Sequence, residues 1–140
     1  MDPYLLIIMR NDMTSMSPGR AAAQASHATS RFTMLAEHPK RTHSWDNDYL
    51  AWKESTPQDF GTAIVVAASG GELDYLIKKA KKLMFLAETI IDPDYSLRDG
   101  NTVHHLNIPT CGFIFMDTNS NLRHASRDNF IQETKFLPLF

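Results

Sequence analysis

Tyr4-Leu5-Leu6-Ile7-Ile8-Met9-Arg10-Asn11-Asp12 runs, after a short loop, into Ser17-Pro18-Gly19-Arg20-Ala21-Ala22-Ala23-Gln24-Ala25-Ser26-His27-Ala28. The reading of this stretch decides the fold. Residues 4–9 form an unbroken apolar run, as expected of a strand buried on both faces. Ser17 is a good N-cap, and Pro18 suits the first helical position, where its missing N–H costs nothing. At roughly 100° per residue, Arg20, Gln24, His27 and Arg31 share a stripe about 60° wide. The alanines between them let the opposite face lie close against a sheet. A helix face made only for solubility would more often mix Glu and Lys, so the stripe reads as a surface for a polar or anionic ligand.

Working outward, the first helix is expected from Pro18 to about Glu37, ending at His38-Pro39 because a residue before proline disfavours the helical region. Residues 39–60 read as a long connection with one helical turn near Asp48–Lys53, serving either as a lid or as an excursion anchored by Trp45 and Trp52. Residues 62–68 are apolar and β-branched, a second strand. Ser69 and Glu72 then form a capping box, and Leu73, Leu76, Ile77, Ala80, Leu83 and Met84 mark a buried helix face. Lys78, Lys79, Lys81 and Lys82 occupy the outer arc, as an RNA phosphate grip or as a solvated face.

A third strand is expected over 88–91, ending at Asp92-Pro93, with further strands at 102–108 and 111–116 and an apolar tail at 136–140. The alternation predicts an α/β fold: one domain over 1–140, with a mixed four- to five-stranded sheet and helices on both faces. Ligands of such sheets bind beyond the carboxyl ends of the parallel strands, which is where Asn11, Asp12 and Asp92 fall.

Composition sets the limits. The 140 residues allow one domain with one sizeable core. A net charge of −2 argues against a non-specific nucleic-acid coat but allows a local basic patch. One cysteine, no membrane-length apolar run and no signal-like start point to a cytoplasmic protein. The six histidines and Cys111 show no zinc spacing. His104 and His105, adjacent on a strand, cannot face the same way. Cys111 in an apolar strand reads as a buried small hydrophobe, and no Gly-x-Ser-x-Gly sequence supports a serine hydrolase.

The opening stretch resembles the signature of the class II peptidyl-tRNA hydrolases, the archaeal and eukaryotic type. In that family a strand ending in Arg-Asn-Asp leads into Gly-Lys-(Ile/Val)-Ala-Ala-Gln-(Cys/Ala)-Ser-His-Ala. This chain has Arg10-Asn11-Asp12 and Gly19-Arg20-Ala21-Ala22-Ala23-Gln24-Ala25-Ser26-His27-Ala28. The resemblance covers residues 5–30 well, 60–92 in pattern and the C-terminal third loosely. It implies metal-independent hydrolysis of the ester between a peptide and the 3′ ribose of tRNA, with tRNA as partner and no cofactor; dimers are common in the family.

Carried over residue by residue, the family's lysine becomes Arg20 and its histidine His27. The Asp and Thr of its Asp-Ala-Gly-Arg-Thr motif become Asp92 and Ser96. Asn11, Asp12, Gln24 and Arg31 are the expected substrate-binding residues. The family's Gly and Arg are replaced by Asp94 and Tyr95. The family's next strand corresponds to 102–108 or to 110–116. Hydrophobicity favours the second, which makes 97–109 an insertion beside the site.

Ester hydrolysis needs a positioned water, a proton acceptor and donors for the oxyanion. Asp92 is expected to orient or deprotonate the water if burial raises its pKa. Arg20 takes the oxyanion or a phosphate but, always protonated, is no base. Ser96 and Asn11 position the water or the ester. His27 bonds the substrate or is a structural histidine satisfied by a carbonyl. Two alternatives to the hydrolase follow from the departures: a catalytically impaired tRNA-binding module, and a related hydrolase or interaction domain with a non-tRNA partner.

Overall fold

The computed structural model describes residues 2–39, 46–118 and 124–140. Strand β1 (Tyr4–Arg10) is apolar up to its last residue because it lies inside the sheet with helices over both faces. It pairs in parallel with β2 (Ala63–Ala68) and antiparallel with β4 (Thr102–Met116). Strand β3 (Ala87–Asp99) completes the order β2-β1-β4-β3. The sheet is mixed and four-stranded.

Leu5, Ile7 and Met9 point to one face, where Ala21, Ala28 and Phe32 of helix α1 (Pro18–Ala36) cover them. Leu6 and Ile8 point to the other, under Leu73, Leu76 and Ile77 of α3 (Gly70–Lys82) and Phe130 and Ile131 of α4 (Ala125–Thr134). Both expected caps form: Ser17 Oγ accepts from the Arg20 N–H, and Ser69 with Glu72 closes a capping box.

The connection after α1 contains more helix than one turn. Helix α2 (Asp46–Glu54) buries Tyr49 and Trp52 edge-on against Phe32, with ring centroids 5.6 and 5.2 Å apart. Trp52 also donates its indole N–H to the Thr62 carbonyl at 2.7 Å, so it anchors the excursion to the core. Trp45 lies outside the described residues.

Two expectations about strands are corrected. The third strand does not stop at Asp92-Pro93 but continues to Asp99, and 102–108 and 111–116 form one strand, not two. Pro93 is tolerated because it sits in a bulge between Asp92 and Tyr95, where the ladder needs no N–H. Pro109 lies beyond the paired end of β1, and there its carbonyl accepts from Arg10 Nη1 at 3.0 Å. The outcome is a long β3–β4 hairpin whose inner half (110–116) is buried in the sheet. Its outer half projects as a largely exposed arm turning at Gly100.

At the other edge the C-terminal tail lies along β2. Ala67 donates its N–H to the Pro138 carbonyl at 2.8 Å, and Phe140 donates to Val65 at 3.1 Å. Among the described residues no helix is long and apolar enough to cross a membrane.

Candidate active site

The polar stripe of α1 faces β3 where the arm leaves the sheet. Arg20, Gln24 and His27 from α1 and Asp92, Asp94, Tyr95 and Ser96 from β3 line a cleft of about 210 Å³. His27 and Asp92 also line a second, larger groove of about 420 Å³ with Arg31 and residues 88–91 and 93. The two cavities therefore adjoin at this His–Asp pair.

Gln24 is 4% exposed and organises the centre. Thr110 Oγ1 donates to Gln24 Oε1 at 2.7 Å, which leaves the amide nitrogen to donate to Asp92 Oδ2 at 2.7 Å. The Asp94 N–H donates to Asp92 Oδ1 at 2.9 Å. The Asp94 N–H and the Gln24 amide hold the Asp92 carboxyl below the usual carboxylate range, against partial desolvation and with help from nearby His27. Burial was the expected route to a raised pKa for Asp92 as the group that orients or deprotonates the water, and the shift runs the other way. Donated hydrogen bonds outweigh burial and favour the carboxylate form of Asp92.

Arg20 reaches Ser96 twice, donating to its carbonyl at 2.6 Å and to Oγ at 3.1 Å. Its guanidinium lies 5.0 Å from the centroid of the Tyr95 ring. Tyr95 is buried, with its hydroxyl 3.0 Å from Ser15 Oγ. Among the described residues two of its five guanidinium N–H groups are engaged. His27 is exposed at the mouth of both cavities and has no hydrogen-bond partner among the described residues, so no carbonyl satisfies it.

The remaining sequence candidates are placed differently. Arg31 lines the larger groove and pairs bidentately with Glu88 at 3.1 and 3.2 Å. Asp12 lines neither cavity. It accepts from Arg10 at 2.9 and 3.1 Å and from the Gly70 N–H at 3.1 Å, tying the end of β1 to the start of α3. Arg10 pulls its carboxyl down to about 2. Asn11 is exposed just past β1 and lines neither cavity; its N–H donates to Ala68. The lysines of α3 lie on the opposite face of the sheet from the cleft, with Lys78 paired to Asp74 and Lys79 to Glu133. Burial pushes the Cys111 thiol up to about 12, which fits an inert hydrophobe.

Sequence reasoning missed Thr110, Tyr95 and Asp94. Thr110 and Tyr95 act through partners 86 and 80 residues away, and only the β3–β4 register brings them in. Asp94 carries a local signal, the turn-favouring Asp-Pro-Asp sequence. Its side chain also meets His105, with Oδ1 2.7 Å from Nδ1.

No curated protein sequence matches the chain significantly. The family model described as peptidyl-tRNA hydrolase PTH2 matches residues 4–128, which span β1 through the first turn of α4 and every residue of the cleft. The chain belongs to the PTH2 peptidyl-tRNA hydrolase family.

Proposed function

We propose that this protein hydrolyses the ester joining a peptide, or an N-blocked amino acid, to the 3′ ribose of tRNA. The observation that carries the reading is the convergence on one small cleft of an ionised carboxylate, an arginine with free N–H groups, a hydroxyl and an unpartnered imidazole. Each Asp92 oxygen keeps a lone pair after its one hydrogen bond, so the carboxylate can hold a water. Held as a carboxylate by these bonds, Asp92 orients the water toward the acyl carbon, and as the water attacks, the proton it loses ends on the ribose 3′ oxygen when the acyl C–O bond breaks. Arg20 offers its free N–H groups to the oxyanion of the tetrahedral intermediate. Ser96 fixes Arg20 and leaves its own O–H for the ester, and His27 bonds the ribose.

None of these roles needs a metal or a cofactor. A substrate made by translation supports a cytoplasmic site of action. The test is incubation with N-acetyl-aminoacyl-tRNA in EDTA. Release of the N-acetylamino acid supports the reading. Salt-dependent tRNA binding without release would replace it with the binding module.

A further inference from the structure

The larger groove beside the cleft has a floor that the hydrolytic reading leaves unused. Six consecutive residues of β3, 88–93, line it, together with His27 and Arg31 of α1. β3 is the last strand of the sheet. The opposite edge, β2, is covered by the C-terminal tail, but among the described residues no backbone group of 88–92 bonds to anything beyond β4.

The hydrogen-bond phase fixes which groups are open. Phe115 donates its N–H to the Leu86 carbonyl at 2.8 Å. In an antiparallel pair the residues facing the partner alternate, so 86, 88 and 90 bond to β4. The register shift between Ile90 and Ile91 puts the extra residue, Thr110, on β4, so the alternation along β3 carries through it, and Thr89 and Ile91 turn their N–H and C=O groups outward, along the groove both residues line.

Resting on the hydrolytic reading above, we propose that this edge is the peptide subsite: the acyl chain of the substrate lies in the groove as an added strand on β3. The ester belongs at the Asp92–His27 end, where the groove meets the cleft. A peptide reaching back toward Arg31 and Glu88 then runs parallel to β3. In a parallel ladder, the peptide residue opposite Ile90 donates its N–H to the Thr89 carbonyl and accepts from the Ile91 N–H.

Main-chain pairing reads the presence of a peptide and ignores its sequence, which suits an enzyme meeting every nascent chain. At about 3.3 Å per residue, the edge from Glu88 to Asp92 accommodates about four residues. The Arg31–Glu88 pair stands at the far end of that span.

The probe is a set of 3′-amino-3′-deoxyadenosine amides carrying N-acetylated alanine chains of one to six residues, whose amide link makes binding readable whether or not turnover occurs. Affinity is expected to rise about tenfold between one and four residues and stay flat beyond. N-methylation, scanned along the chain, should erase the gain at the residue opposite Ile90. Ile91→Pro should flatten the length dependence, because proline removes the outward N–H and leaves the ladder to β4 intact. Affinity independent of length, or a gain that survives N-methylation at every position, overturns the proposal. Absence of ester hydrolysis overturns the reading beneath it and is measured separately.

Discussion

Gln24 Nε2 lies 2.7 Å from Asp92 Oδ2, and Thr110 holds the other end of the same amide at 2.7 Å. This relay connects a hydroxyl in the buried half of β4 to the carboxylate at the cleft through one helix residue. Replacing Gln24 with leucine leaves the Thr110 hydroxyl buried without its acceptor and removes a hydrogen bond from Asp92. The expected cost is about 1–3 kcal/mol of stability, with the Asp92 carboxyl moving up toward its ordinary value. Urea denaturation and an NMR titration of the Asp92 side chain check the two halves separately.

Acid sensitivity follows from carboxylates whose folded pKa values are depressed. Such a group stabilises the fold fully above its unfolded value, about 4, and loses that contribution as pH falls through the folded value. For Asp12 the window runs from about 4 down to about 2. Asp12→Asn should therefore lower the urea midpoint at pH 7 and reduce the further loss between pH 4 and pH 2. Because the side chain is 40% exposed, the effect is a modest fraction of the full linkage value. An unchanged pH dependence would mean that the Arg10–Asp12–Gly70 contact contributes nothing.

Under α3 and α4, Arg127 and Asp117 form an ion pair whose side chains are 3% and 0% exposed. Arg127 also donates to the Leu83 carbonyl at 2.9 Å and stacks 3.9 Å from the Phe85 centroid. Arg127→Met takes the bidentate cation from a fully buried carboxylate, so it should cost about 3–5 kcal/mol. The paired change Arg127→Met with Asp117→Leu should recover much of it. Both are read from denaturation midpoints.

Gly61 has φ +70°, and a Cβ there would overlap the ring of Trp52. Gly61→Ala should destabilise by at least about 1–3 kcal/mol, from the clash and the backbone strain together. Thermal unfolding with Trp fluorescence reports both the loss and the displaced indole.

How much of this was legible in the sequence depends on the range of the interactions. The β1 run, the Ser17-Pro18 start and the Ser69–Glu72 box are local signals, and each forms as read. The stripe of α1 was legible for the same reason, since helical periodicity alone puts Arg20, Gln24 and His27 on one side. The arm was not. Pro93 and Pro109 look like strand breakers, and only the bulge and the end of β1 make them harmless. The role of Gln24 as a buried bridge also escaped notice, because its two partners come from different strands.

The central claim is that Asp92 holds the water that attacks the ester. Single-turnover hydrolysis of N-acetyl-aminoacyl-tRNA in EDTA, comparing wild type with Asp92→Asn, tests it most directly. The account predicts release by the wild type and a rate lower by about 10²–10⁴ in the variant, with tRNA affinity retained. Equal rates in the two proteins would contradict it.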